Sequence, residues 1–150
     1  MNTHTTQYFI DFLLIARYNA AMNRLRLFIA CELPQKLRTS ILESFRQLPL
    51  DHSAYRVTVP DNLHITVKFL GETDINYLSD ITATLDEIGE SSPAPEIIVD
   101  HGILMPAKKP RAVALKIQPS ESLAEIHMAL DEALADKGIT RPEHRLFSPH

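Results

Sequence analysis

Short strand-like and helix-like runs alternate along the 150-residue chain and predict an α+β or α/β sandwich built from two related lobes. Three observations support this. From Leu25 the hydrophobic pattern reads strand, helix, strand, helix, strand, strand, helix. The connections are short and turn-rich, and no low-complexity linker divides them. The two halves also share an order of parts: strand 25–30, a proline-opened helix and a strand beginning at His64 correspond to strand 111–118, a helix after Pro119 and a segment ending at His150.

In the first strand Leu25, Leu27 and Ile29 share one face, and Arg26, Phe28 and Ala30 the other, because side chains alternate along a strand. Pro34 suits the first position of a helix, and Leu37, Ile41, Phe45 and Leu48 follow at helical spacing. YRVTV reads as a strand or edge extension, and Pro60-Asp61-Asn62 supplies a turn before LHITVKFLG. There Ile65, Val67 and Phe69 are expected on one face and His64, Thr66 and Lys68 on the other. Gly71 is expected to end the strand, Thr73 or Asp74 to cap the next helix, and Leu78, Ile81, Leu85 and Ile88 to form its buried stripe before Gly89. EIIVDHGILM and RAVALKIQ read as two strands paired in a hairpin around PAKKP. Ser122 with Glu125 has the pattern of a capping box, and Leu123, Ile126, Leu130 and Leu134 give the next helix an apolar face that stops at Gly138.

The formal net charge of −4 excludes broad electrostatic gripping of long nucleic acid, so any nucleic-acid role is local, at an end or a small fragment. The single cysteine, Cys31, lies in an apolar run and reads as a buried reduced thiol, which places the protein in a reducing compartment, the cytoplasm. YFIDFLLIARY is too short for a membrane span and is interrupted by Asp11, and no basic residue precedes it as a signal peptide requires. We read residues 1–21 as an N-terminal extension and 22–150 as the domain, with Met22 opening a well-formed strand.

His64 and Thr66, two apart on a strand, project from one face and can converge on a single small anion. Imidazoles exchange protons near neutral pH, so one can take a proton from water while a second gives one to a leaving oxygen. Phosphodiester cleavage of this kind needs two such groups on opposite sides of phosphorus, with donors such as threonine hydroxyls for the charged oxygens.

An isolated H-x-T is a weak signal, but its flanks narrow it. The run NLHITVKFLGE resembles the first signature of the 2H phosphoesterase superfamily, in its RNA 2',3'-cyclic phosphodiesterase or 2'-5' RNA ligase-like branch. The match covers Asn62, Leu63, His64, Thr66, Lys68, Phe69, Leu70 and Gly71. RLFIACELP resembles that branch's opening strand, KKPRAVALKI its middle strand, and RLFSPH the approach to its second signature, of which His150 matches the histidine. The second threonine and a downstream arginine have no counterpart in the chain, nor do the last helix and closing strands.

The resemblance implies a bilobal α+β fold, with mainly antiparallel sheets around a central cleft and the second lobe incomplete. It also implies metal-independent, cofactor-free opening of an RNA 2',3'-cyclic phosphate to a 2'-phosphate, with reversible 2'-5' ligation in some relatives. His64 then acts as general acid on the departing 3' oxygen and His150 as general base on water, with Thr66 binding the phosphate. Arg26 and Phe28, on the strand face opposite the core stripe, are expected to line the cleft and bind the substrate. The partner is an RNA end or small cyclic nucleotide, and the chain is a monomer. Two other classes are compatible with the sequence: a truncated, inactive remnant that at most binds RNA ends or phosphate, and a protein interaction domain built on the same lobes.

Plainer readings stand beside these. Phe28 fits a core as well as a base-stacking cleft, and Arg26 fits a solvated edge as well as a phosphate contact. Lys68 and the KKPR run around Arg111 read as solvated surface. His4, His52, His101, His127 and His144 lack metal-site spacing and read as surface or locally satisfied histidines. No glycine-rich phosphate loop occurs, and Asp86-Glu87 and Asp131-Glu132 read as solvated helix positions.

Overall fold

In the computed structural model, residues 12–19, 23–49, 56–106, 108–109 and 111–150 are described, the first group by backbone alone. Two antiparallel sheets form. The larger runs in the order β1 (Phe12–Asn19), β2 (Arg24–Glu32), β3 (His64–Asp74), and the smaller is the hairpin of β4 (Val99–Met105) and β5 (Ala112–Ile117). β1 pairs along β2 from Phe12↔Cys31 to Asn19↔Arg24, so seven residues of the apolar N-terminal run, with Asn19, form a strand that the hydrophobic pattern does not assign. His4, His52 and Met22 lie outside the described residues. So does Tyr55, and residues 56–59 of YRVTV are not a strand; Val57 and Val59 there are exposed.

β2 has the expected alternation, with Leu25, Leu27 and Ile29 buried on one face. β3 departs from it. Its register against β2 shifts twice: between Ile29↔Lys68 and Ala30↔Thr66, and between Leu27↔Gly71 and Phe28↔Phe69. Val67 and Leu70 are therefore extra residues, each a bulge that reverses the faces of the residues beyond it. Ile65 and Val67 are buried as expected, but Lys68 is buried as well, at 3% exposure, whereas Phe69 is 66% exposed. The expected faces for Lys68 and Phe69 are thus exchanged. Gly71 lies inside the strand rather than ending it, at φ +71°, a conformation that side chains disfavour.

The helices are α1 (Gln35–Arg46), α2 (Leu78–Ser91) and α3 (Glu121–Asp136). Pro34 stands at the N-cap of α1, one residue before the position expected. Leu42 is its buried side chain, with Leu37 and Ile41 packed against the core, while Leu48 lies beyond the helix and is exposed. Asp74 caps a single 3-10 turn, its side chain accepting from the Asn76 N–H at 2.9 Å, and α2 comes next, burying Ile81, Leu85 and Ile88 but continuing past Gly89. The cap of α3 is Ser120, not Ser122; the Ser120 hydroxyl accepts from the Leu123 N–H. α3 buries Leu123, Ile126, Leu130 and Leu134 as expected, and Gly138 at φ +69° lets the chain turn away. These side chains join those of α2, β2, β3 and Ile117 in one apolar cluster. Burying a side chain of this kind contributes roughly 1.5–3 kcal/mol.

α3 also holds β3 by polar contacts. The Lys68 ammonium hydrogen-bonds Asp131 and lies 3.9 Å from Glu143, so neither Lys68 nor Asp131 is the solvated group expected. Asp131 further accepts from the Glu143 N–H at 3.0 Å. Burial alone would raise the Asp131 pKa. The Lys68 and Glu143 hydrogen bonds and the Lys68 charge outweigh it and hold the carboxyl below its usual range. His127, 7% exposed, has Nδ1 2.8 Å from the Val67 carbonyl oxygen, and its ring stacks on Phe147 at 4.4 Å.

A carboxyl held below its unfolded pKa stabilises the fold above that value and loses the effect as pH falls through the lowered one. Asp131→Asn should therefore cost about 2–3 kcal/mol near neutral pH, and the gap should narrow below the ordinary 3.8, as followed by urea unfolding at a series of pH values. A constant gap would disprove the pairing as its source. His127→Leu, which keeps bulk but strands the Val67 carbonyl, should cost about 1–3 kcal/mol in the same assay and shift the amide NMR signals of both Val67 and Phe147.

Candidate active site

Pro60 opens the single 3-10 turn Pro60–Asn62, closed by bonds from the Asn62 N–H to the Val59 carbonyl (3.0 Å) and from the Leu63 N–H to the Pro60 carbonyl (3.1 Å). The turn brings the Asn62 carbonyl oxygen to 2.8 Å from His64 Nδ1. A carbonyl oxygen only accepts, so Nδ1 carries a proton and Nε2 is the nitrogen free to exchange one.

His150 repeats the device. Its Nδ1 lies 3.0 Å from the carbonyl oxygen of Ser148, again two residues upstream, which leaves Nε2 as the exchanging nitrogen. The segment is tied to the end of β5: the Ile117 N–H donates to the Pro149 carbonyl at 3.3 Å, and Lys116 Nζ donates to Ser148 Oγ at 2.6 Å. Both rings are half-buried. His64 thus starts β3 opposite Glu32, the last residue of β2, while His150 ends a segment bonded to Ile117, the last residue of β5. No hydrogen bond or ring contact among the described residues joins the two histidines.

The neighbours of His64 come from β2. Phe28 lies 5.2 Å from it between ring centroids, and Phe69 lies 5.9 Å from Phe28. Thr66 is half-buried opposite Ala30, with His64 on the same side of the strand before the first bulge. Arg26 is exposed and paired in register with Glu72, six residues along β2 from Glu32 or roughly 20 Å. The fold therefore brings Phe28 to His64 but not Arg26. Glu32 would place negative charge beside an anionic substrate, but its carboxylate is bound by Arg38 Nη1 at 2.9 Å. Arg38 escapes sequence reasoning, because it sits in the mostly polar first turns of α1 with no motif to mark it.

Two concavities among the described residues lie away from His64 and His150. One, of about 570 Å³, lies at the start of α3 and is lined by Glu96, Glu121 and Glu125 with Ser120 and Ser122. The other, of about 650 Å³, lies between Phe69 and the chain beyond α3. His101 is exposed and paired with Asp100, and no helix among the described residues is long and apolar enough to cross a membrane.

Residues 33–150 match the family model described as the 2'-5' RNA ligase superfamily, a span that holds both histidines. An RNA 2',3'-cyclic phosphodiesterase of Methanocaldococcus jannaschii is 28% identical over 126 residues, covering 84% of this chain and 68% of that protein. A phosphoesterase crystal structure is similar at TM-score 0.63 and 25% identity, over 83% of this chain and 69% of that one. E. coli LigT in its apo form is similar at TM-score 0.60 and 26% identity, over 83% and 68%. The match across most of the chain, on a fold shared with solved phosphoesterases, means that this protein belongs to the 2'-5' RNA ligase superfamily, the 2H phosphoesterases, and has a function of that phosphoesterase type.

Proposed function

We propose that the protein hydrolyses RNA 2',3'-cyclic phosphate ends to 2'-phosphate ends without a metal, using His64 and His150, and that it acts in a reducing compartment, the cytoplasm. The observation that carries this reading is the matched bracing of the two rings, each with Nδ1 on the carbonyl two residues upstream and Nε2 left to exchange a proton. The activity named for the M. jannaschii relative supports it. Cys31 is consistent with that compartment: it is buried outside any disulfide, and burial pushes its thiol up to about 12, which disfavours the reactive thiolate.

Hydrolysis begins when His150 Nε2 takes a proton from water as the water oxygen attacks phosphorus. The bond to the 3' oxygen breaks, and that oxygen takes a proton from the His64 imidazolium. The products are a 2'-phosphate and a free 3' hydroxyl. The same sequence with a 5' hydroxyl in place of water is 2'-5' ligation, and its reversal expels that hydroxyl and restores the cyclic phosphate. The Thr66 hydroxyl donates to a non-bridging phosphate oxygen, and Phe28, already in ring contact with His64, supports the terminal base. Because Nδ1 of each ring stays on its carbonyl in both protonation states, the rings need not reorient between turnovers.

His64→Ala and His150→Ala should each lower kcat/KM on a cyclic-phosphate RNA end by roughly 10²- to 10⁴-fold, with EDTA leaving the parent rate unchanged. Full activity in His64→Ala sinks the reading. One ring must be protonated and the other neutral, so kcat/KM should trace a bell against pH, and each alanine variant should lose one limb of it.

A further inference from the structure

The concavity of about 650 Å³ beyond Phe69 falls within the roughly 300–1,000 Å³ of small-molecule sites, yet the proposed chemistry leaves it unused. Its lining combines Phe69, 66% exposed on β3, with Thr140, Arg141, His144 and Arg145 from the segment after α3. Arg141, His144 and Arg145 are all exposed, and among the described residues neither arginine forms an ion pair. The one acid of the lining, Glu143, lies 3.9 Å from the Lys68 ammonium, and its backbone N–H is spent on Asp131. Thr140 Oγ1 is buried without a partner. In a chain of net charge −4, this is a local cationic surface beside an exposed ring.

Ring contacts link one wall of the concavity to the candidate active site. Phe69 meets Phe28 at 5.9 Å, and Phe28 meets His64 at 5.2 Å, so three rings run from the reacting end to the cationic wall. Stacking rings beside backbone-tracking cations are the elements of a single-stranded nucleic-acid groove, where any base stacks and each phosphate meets a cation.

Building on the cyclic-phosphodiesterase reading, we propose that this concavity binds the one or two nucleotides on the 5' side of the terminal cyclic phosphate. Phe69 stacks the penultimate base, and Arg141 and Arg145 meet the phosphates.

The test compares a trinucleotide ending in a 2',3'-cyclic phosphate with a 2',3'-cyclic mononucleotide, by kcat/KM and by fluorescence anisotropy of the labelled trinucleotide at several salt concentrations. The trinucleotide should be preferred, and Phe69→Ala should reduce that preference by about 5- to 100-fold. Arg141→Ala and Arg145→Ala should leave mononucleotide turnover unchanged and flatten the log–log salt dependence of trinucleotide binding by about 0.7 each. Equal use of both substrates, or arginine variants that weaken both alike, overturns the proposal and leaves the cyclic-phosphodiesterase reading standing. A chain that turns over neither substrate but binds the trinucleotide with the arginine-dependent salt slope overturns the catalytic reading and keeps the groove.

Discussion

One additional residue in β3 governs how the parts of this molecule meet. Alternation along a strand would put Lys68 beside His64 and Thr66, but the bulge at Val67 turns the Lys68 ammonium inward to Asp131 of α3. At the same bulge the Val67 carbonyl, out of register with β2, is taken by His127, also of α3. A buried ammonium tolerates few geometries, because any arrangement that leaves it unpaired is costly. The strand that begins at His64 is thereby fixed to a helix of the other half.

α3 carries that constraint onward to the C-terminal segment. The Asp131 carboxylate that holds Lys68 also holds the Glu143 N–H, and the His127 ring that reaches Val67 is covered by Phe147. Phe147 lies three residues before His150, and Val67 three residues after His64. One helix thus contacts the neighbourhoods of both histidines, although the histidines themselves share no contact among the described residues. The bulge explains how this chain joins the two segments.

Much of this is legible in the residues. The period-two face of Leu25, Leu27 and Ile29, the helical stripes of α2 and α3, the hairpin of β4 and β5 and the turn before His64 all come from local pattern. The fate of Lys68, Phe69, Asp131 and His127 does not, for one reason: a bulge leaves no mark in hydrophobicity when the extra residue, here Val67, is itself apolar. Once the alternation slips by one, the assignments reverse until the second bulge at Leu70, including which ring faces out. Ser120 is hidden as the α3 cap because Ser122 offers the fuller motif, and β1 because it is held by pairing with β2, which no local pattern records.

The carbonyl beneath each histidine belongs to the same short loop as the ring it steadies. The tilt of each imidazole is consequently a property of a three-residue stretch and independent of how the halves are disposed. Each ring is thus aimed by its own backbone, while α3 sets where the two aimed rings stand. Orientation and placement have separate sources in this chain.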